Sequence, residues 1–523
     1  MAGYLALVLH AHLPFVRHPE HEHFLEEDWL FEAITETYIP LLQMMQRLIV
    51  EGVPVQITMS LTPTLCAMLQ DELLRERYVR HLDQLIDLSE REIERNRAHP
   101  LLRHLAEFYR ETFSLSRRYF VDECNCDLLA AFRQLREAGV LEIIASAATH
   151  GLLPLLQQQS VSAARAQILI GRDVYAEIFG AAPAGFWLPE CAYAPGIDLL
   201  LQKADLRWFI VDAHGLIFGE PRPRRAIYAP CYTPAGPAAF ARDPHSSRQV
   251  WSAEEGYPGD PNYRDFYRDA GFDLPLDHLG AVARSVRKFS GLKYHRITGP
   301  DVEKAIYDLD TAKKAAERHA AHFLQQRADQ IRSLSAFHFD PIVVVPFDAE
   351  LFGHWWFEGP RFLECFIKGV SEQRDFQLVT PGQFLSSHPS QQSIRPAAST
   401  WGEAGYLGVW LDPSNAWIYP HLQGAANRMH EVARTNWKGP VKLRERILKQ
   451  LARELLLAQS SDWAFLMKTA TAKDYASKRT MDHLVRFNRL HDQYVTNTVD
   501  EKFLADCESR DNLFPNLNWH YYL

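Results

Sequence analysis

Acidic and imidazole side chains gather at a few short places along this chain of 523 residues. His10 and His12 stand in Leu9-His-Ala-His-Leu-Pro14, and His150 stands in Ala147-Ala-Thr-His-Gly151. Glu190 closes Gly185-Phe-Trp-Leu-Pro-Glu190. Asp212 and His214 follow Trp208-Phe-Ile-Val211, and Asp348 and Glu350 close Val345-Pro-Phe-Asp-Ala-Glu350. Two chemistries suit such a set. Two carboxyls can flank a glycosidic bond, one attacking the anomeric carbon and the other protonating the departing oxygen. The attacking group must then be ionised, while its partner keeps a proton near neutral pH through burial or a negative neighbour. Retention of configuration would place the two carboxyls about 5–5.5 Å apart. Alternatively, the His-x-His pair presents two ligands on one side of a strand, and His150 and Asp348 could complete a hydrolytic metal site.

Either chemistry needs elements that bring distant segments together. Strand-like runs occur at Tyr4–Leu9, Val55–Met59, Leu141–Ser146, Gly185–Leu188, Trp208–Val211, Ile342–Phe347 and Phe376–Val379. They are rich in β-branched and aromatic residues and bounded by polar, Pro or Gly positions. Amphipathic helices lie between them, with Ser160–Phe179 and Glu303–Arg332 the longest. Alternating strands and helices predict an α/β fold with a parallel sheet. Seven strands predict a β/α barrel one strand short of the eight-stranded form, with an open doubly wound sheet as the alternative. All the acids and imidazoles above fall at carboxyl ends of strands, which form one face of such a barrel. A lone carboxylate there could be only a helix cap; six or more polar groups at one end argue for a site.

The alternation breaks twice. Residues 213–300 hold ten of the 30 prolines, which predicts an inserted domain with a mobile loop near 229–242. From about Trp401 the strand signal ends, and Lys442–Gln459 reads as a strong amphipathic helix of a helical C-terminal domain, 401–523. The barrel itself is then assigned to 1–212 and 301–400.

Composition narrows the substrate. Apolar residues make up 47% and charged residues 23%, as in an ordinary globular protein. A net charge of −9 disfavours nucleic acid as a partner, and a neutral ligand fits. Aromatic residues reach 12%, with 12 Trp, enough to supply stacking platforms for sugar faces. Seven cysteines in no paired framework suggest reduced thiols in a cytoplasmic protein. No signal peptide is read at the N-terminus, and no run approaches the roughly 18 apolar residues that cross a bilayer.

The motifs containing His10–Pro14, Ala147–Gly151, Gly185–Tyr193, Val345–His354 and Thr400–Tyr406 together resemble glycoside hydrolase family 57, in the family's order and nearly end to end. Val250–Asp260 with Tyr263–Tyr267, and Gln459–Trp463, resemble its 1,4-α-glucan branching members. The resemblance implies an incomplete (β/α)7 barrel with a small inserted domain and a helical C-terminal domain. It implies Glu190 as nucleophile, Asp348 as general acid/base, and no cofactor or catalytic metal. His10 and His12 become contacts to the sugar beside the cleaved bond. Trp401, Trp410 and Trp463 are placed along the groove, and Trp29, His150, Asp212, Arg264, His354 and Asp462 are further substrate contacts. The partner implied is an α-glucan acting as donor and acceptor, with the enzyme a monomer or homodimer. Hydrolysis or α-1,4 transfer by the same carboxylates is the alternative activity. Branching members carry a tyrosine on a mobile loop that favours transfer over hydrolysis. Here Tyr232 stands on the shoulder of that segment, with Gly236-Pro237 at its tip, so either Tyr232 serves from the shoulder or the aromatic shield is missing.

Overall fold

A computed structural model describes residues 3–252, 255–284, 286–299 and 302–523. The expected domain boundary at 300–301, and Ala253 and Glu254 of the Val250–Asp260 motif, lie outside the described residues.

Among the described residues, nine strands form one sheet: β1 (Gly3–Ala11), β2 (Ile57–Leu61), β3 (Leu141–Ser146), β4 (Gly185–Trp187), β5 (Trp208–Val211), β6 (Cys231–Tyr232), β7 (Ala238–Ala241), β8 (Ile342–Asp348) and β9 (Phe376–Leu378). Their order is β6-β7-β5-β4-β3-β2-β1-β8, with β9 beside the first residues of β1. Every pairing is parallel except β6 with β7. Beyond β7 the sheet curls back on itself: Arg242 bridges to Val344 of β8, and the Asp243 N–H donates to the Val344 carbonyl at 2.8 Å. The result is an incomplete (β/α)7 barrel whose parallel strands are β1 to β5, β7 and β8.

The strands are apolar on both faces because both are covered. On β1, Leu5, Leu7 and Leu9 pack outward against helices, while Ala6 and Val8 face the barrel interior with Ile144, Trp187, Trp208, Ile210, Phe240, Ile342 and Val344. Side chains alternate with period two, so the inward register continues upward to His10 on β1, Ser60 on β2, Ser146 on β3, Asp212 beyond β5, Arg242 beyond β7 and Asp348 on β8. The same periodicity that fills the barrel with hydrocarbon therefore delivers polar groups to its upper mouth.

Two sequence expectations are corrected here. The seventh strand of the barrel is not Phe376–Val379, since β9 pairs only with Gly3–Leu5 of β1. The barrel strand is Ala238–Ala241, inside the stretch expected to form an inserted domain. This segment is neither a loop nor apart from the barrel: β7 pairs with all four residues of β5, and β6 turns back antiparallel to it. Its Ala-Ala-Phe-Ala sequence lacks β-branched residues because Trp208, Trp187 and Phe240 already fill the space inside. The helix expected from Glu303 starts later, at Leu309, where the Asp308 carboxylate accepts from the Thr311 N–H at 2.7 Å.

From residue 401 the chain forms 3-10 turns and then helices Ile418–Arg434, Val441–Ala458, Ser461–Thr469, Lys473–Thr496 and Glu501–Arg510, as the loss of strand signal predicts. This region is stitched to the exit of β3. Gly151 and Ser460 form an antiparallel bridge, and the Ser461 N–H donates to the His150 carbonyl at 3.1 Å.

Candidate active site

Glu190 sits in a turn directly after β4, with φ 62° and ψ 24°, and Cys191 behind it also has positive φ. A left-handed backbone at two non-glycine residues costs roughly 1–3 kcal/mol each and persists where the surroundings hold it. The holding contacts here come from a distant part of the chain. The Trp401 indole N–H donates to Glu190 Oε2 at 2.9 Å, and the Ser461 hydroxyl donates to Oε1 at 2.8 Å. The Trp401 backbone N–H also donates to the Glu190 carbonyl at 3.1 Å. Both carboxylate oxygens thus face donors, an arrangement that favours the anion. Burial works the other way and pushes Glu190 up to about 7, with the negative charges of Asp462 and Asp348 adding to the rise.

Asp348 is directly opposite His10 in the β1–β8 register. Burial lifts its carboxyl to about 6, against the opposing pull of Arg242, His12 and a side-chain hydrogen bond from Trp251. Both carboxyls therefore bind a proton more readily than free ones, and the charge of Asp348 adds to the rise at Glu190.

Three imidazoles line the other wall. His10 Nε2 lies 3.0 Å from His150 Nε2, and its Nδ1 lies 3.2 Å from the Ser60 hydroxyl. The His10 ring stacks on Trp187 at 4.5 Å. Burial drives both His10 and His150 well below the ordinary histidine value, so they are neutral. His12 differs. Burial opposes its charge, but the Asp462 carboxylate, with both oxygens 3.0 Å from Nε2, outweighs it and raises the pKa. Its Nδ1 pairs with Thr62 at 3.0 Å. A third buried carboxyl, Glu350, accepts from Tyr38 at 2.5 Å and from the His12 backbone N–H at 3.1 Å; burial pushes it up to about 7. The turn carrying Glu350 lies close on the π-helical turn Ile34–Tyr38. At Gly353, φ is 114° and a Cβ would lie 1.7 Å from the Glu36 carbonyl, so only glycine fits.

Donor atoms of His12, His150 and Asp462 all lie within 4.8 Å of one another, a spacing that could hold a cation. Asp348 is not part of that set, contrary to the metal alternative read from the sequence. His12 already directs its Nε2 at both Asp462 oxygens, and His150 meets Ser461 at 2.8 Å through Nδ1.

The structure places Glu190, Asp348, His10, His12, His150, Trp401 and Asp462 at one end of the barrel. Asp212 joins them at one remove, pairing with His214 at 3.1 Å and with Arg242 at 3.4 Å, while Arg242 lies 5.6 Å over the Trp401 ring. Other expected contacts lie elsewhere. Tyr232 pairs with Ala238 and hence with Trp208 at the start of β5, at the opposite end of the barrel, and its hydroxyl donates to the Pro389 carbonyl at 3.1 Å. It cannot shield Glu190 or Asp348. Trp463 is 0% exposed with its N–H on the Leu457 carbonyl, and Trp410 is 2% exposed, so neither indole offers a face to a sugar. Arg264 is buried beneath Phe357 and ion-pairs with Glu36 at 2.8 Å, which in turn meets His354 at 3.1 Å. That network is a support behind the mouth rather than a contact surface. Trp29 is half-buried with its edge against Tyr475.

Four side chains that act on these groups escaped the sequence reading: Arg242, Trp251, Ser461 and Tyr38. Arg242 could have been found by extending the inward register of β7. Ser461 lies inside the Gln459–Trp463 motif, but nothing in the sequence points its hydroxyl at a glutamate 271 positions earlier.

The parallel barrel brings two buried carboxyls of raised proton affinity and two neutral imidazoles to its upper mouth, groups of the kind that acid–base and nucleophilic chemistry uses. Comparison with known proteins identifies the family. The description of glycosyl hydrolase family 57 matches residues 6–396, and that of the 1,4-alpha-glucan branching enzyme C-terminal region matches 421–522. The chain belongs to glycosyl hydrolase family 57. It is 34% identical over 550 residues to the 1,4-alpha-glucan branching enzyme TK1436 of Thermococcus kodakarensis, covering 98% of this chain and 78% of that one. Among solved structures it resembles the alpha-amylase AmyC of Thermotoga maritima, with a TM-score of 0.93 and 44% identity over 100% of this chain and 99% of that one. It also resembles the GH57-type branching enzyme of Pyrococcus horikoshii, with a TM-score of 0.90 and 34% identity over 100% and 97% of the two chains.

Proposed function

We propose that this enzyme cleaves an α-1,4 bond of a glucan with retention and transfers the released chain to a 6-hydroxyl, forming an α-1,6 branch. The observation that carries this reading is the pair of donors, Trp401 and Ser461, which hold both Glu190 oxygens as acceptors, with Asp348 near enough for its charge to raise the Glu190 carboxyl. Glu190 attacks the anomeric carbon as Asp348 protonates the leaving oxygen, giving a covalent glycosyl-enzyme. Asp348, now ionised, accepts the proton of the acceptor 6-hydroxyl as that oxygen displaces Glu190. The reaction requires a proton on Asp348 and an ionised Glu190. Burial favours the protonated form of both, while the Trp401 and Ser461 donors favour the anion at Glu190.

The relatives named as branching enzymes and the match of residues 421–522 support branching. The helical region 401–523 then completes the glucan groove, and Asp462 and Ser461 are its contribution to the cleft. Because Tyr232 lies at the far end of the barrel, water competes more freely for the glycosyl-enzyme, and hydrolysis accompanies transfer. A role in glycogen synthesis in the cytoplasm follows, consistent with seven unpaired thiols and with no helix, among the described residues, long and apolar enough to cross a membrane. Proton NMR of amylose after incubation tests the reading. New α-1,6 anomeric signals are expected, and new reducing ends without any branch signal would refute it.

A further inference from the structure

A large cleft lies away from the catalytic mouth. It lies at the opposite end of the barrel, where the strands begin, and has a volume of about 1310 Å³. Its walls are the starts of β3 and β5, the β6–β7 turn, and the helix Pro381–Ser387. That exceeds the roughly 300–1,000 Å³ of a small-molecule pocket and suits a segment of polymer.

The lining has the chemistry of a polyol site. Tyr232 and Leu385 pack partly against the inner core and stay partly open, which gives an apolar floor. The Trp208 ring lies beside them, 1% exposed, and adds apolar body to the floor. Around the floor stand Gln202 and Arg207, both exposed, and the Glu142 carboxyl. Glu142 is held in place by Thr58 at 3.2 Å and by the N–H of Gly382, where a Cβ would lie 2.1 Å from Glu142 Oε1. One cation against the carboxyls of Glu142 and Asp205 repels a polyanion and leaves a neutral, hydroxyl-rich chain as the fitting ligand. An apolar platform ringed by planar amide, guanidinium and carboxyl groups matches the C–H faces and equatorial hydroxyls of a sugar.

We propose that this lower cleft is a second, non-catalytic binding site for an α-glucan chain, which tethers the polymer while the upper mouth acts on it. The proposal rests on the glucan reading of the catalytic site. Two sites on one polymer raise the local concentration of chain ends at the catalytic mouth without any new catalytic contact.

The test compares the wild-type enzyme with two variants, Tyr232→Ala and the double substitution Gln202→Ala/Arg207→Ala. The second removes only exposed side chains and keeps the test decisive should loss of the Tyr232 ring impair folding. Both are assayed for retardation in native gels containing amylopectin, and for turnover on amylose and on maltoheptaose. The expected result is weaker retardation and a KM for amylose raised about fivefold or more, with kcat and maltoheptaose turnover unchanged, as when one arm of a two-site binder is lost. Unchanged retardation and KM in a folded variant would overturn the proposal while leaving the catalytic reading intact. A wild-type enzyme inert on both amylose and maltoheptaose would overturn the catalytic reading, and the tether with it.

Discussion

Two clusters of imidazole and carboxylate groups in this molecule are built from the same residue types and put to opposite uses. One is the upper mouth of the barrel, where His12, His150 and Asp462 surround Glu190. The other joins the C-terminal helices, where His483 Nδ1 lies 2.8 Å from Glu454, Arg486 lies 2.9 Å from Asp511, and Gln450 donates to Glu454 at 2.8 Å. Both sets present ligand atoms close enough for a cation. In the second, His483, Glu454 and Asp511 are 0–1% exposed, and Arg486 and Arg479 already supply positive charge. Burial, together with the charge of Asp511, pushes Glu454 well above the usual carboxylate range. The comparison teaches that access, not residue type, separates a reaction centre from a structural knot. At the mouth, the side chains of His12, Glu190 and Asp462 keep 10–16% of their surface exposed; in the helices the groups are sealed and fasten three segments together.

Substitution at each cluster should sharpen the contrast. Glu190→Gln should lower turnover by roughly 10³–10⁶-fold, as loss of a nucleophile does, while the melting temperature stays within a few degrees of wild type. Residual activity near wild type would break the distinction at its centre. Asp511→Ala should do the reverse. Removing one partner of a buried ion pair typically costs about 3–5 kcal/mol, so the denaturation midpoint should fall steeply while kcat per folded molecule is retained. A loss of kcat with normal stability would show that the sealed cluster takes part in the chemistry.

A smaller effect belongs to Glu350, whose folded-state pKa is raised by burial to about 7. The sign follows directly: the folded state favours the protonated carboxyl. Its stabilising contribution is therefore full below the ordinary carboxylate pKa and is lost as pH rises through about 7. Glu350→Gln, which keeps an acceptor for Tyr38, should raise stability at pH 8 by about 1 kcal/mol or more and change little at pH 4. Equal melting temperatures of the two proteins across that range would remove Glu350 from the set of costly buried acids.

Much of the catalytic mouth was legible because strand periodicity carries it. His10, Asp212 and Asp348 continue inward registers already marked by hydrocarbon, and Glu190 follows the fourth apolar run. Strand β7 was not legible, since Ala-Ala-Phe-Ala reads as a weak loop until the bulk of Trp208 and Phe240 inside the barrel is known. Tyr232 was misplaced for the same reason: with β7 unseen, its segment had no end of the barrel to belong to. Trp410 and Trp463 looked like sugar platforms because a tryptophan in a polar stretch gives no sign of whether its ring is covered. Ser461 and Trp251 depend on approaches between segments far apart in the chain, which local pattern does not encode. The helical region was foreseen as a whole, but its hydroxyl on Glu190 was not.

That hydroxyl has a bearing on how the enzyme comes into being. Chains emerge from the ribosome N-terminus first, so the barrel strands are all made before Ser461 and Asp462 exist. Until the helices dock through the Gly151–Ser460 bridge, Glu190 lacks one of its two side-chain donors and His12 lacks its counter-charge. A nascent or prematurely stopped polypeptide would be a barrel without a working reaction centre, and synthesis to the last helices would act as its own safety catch.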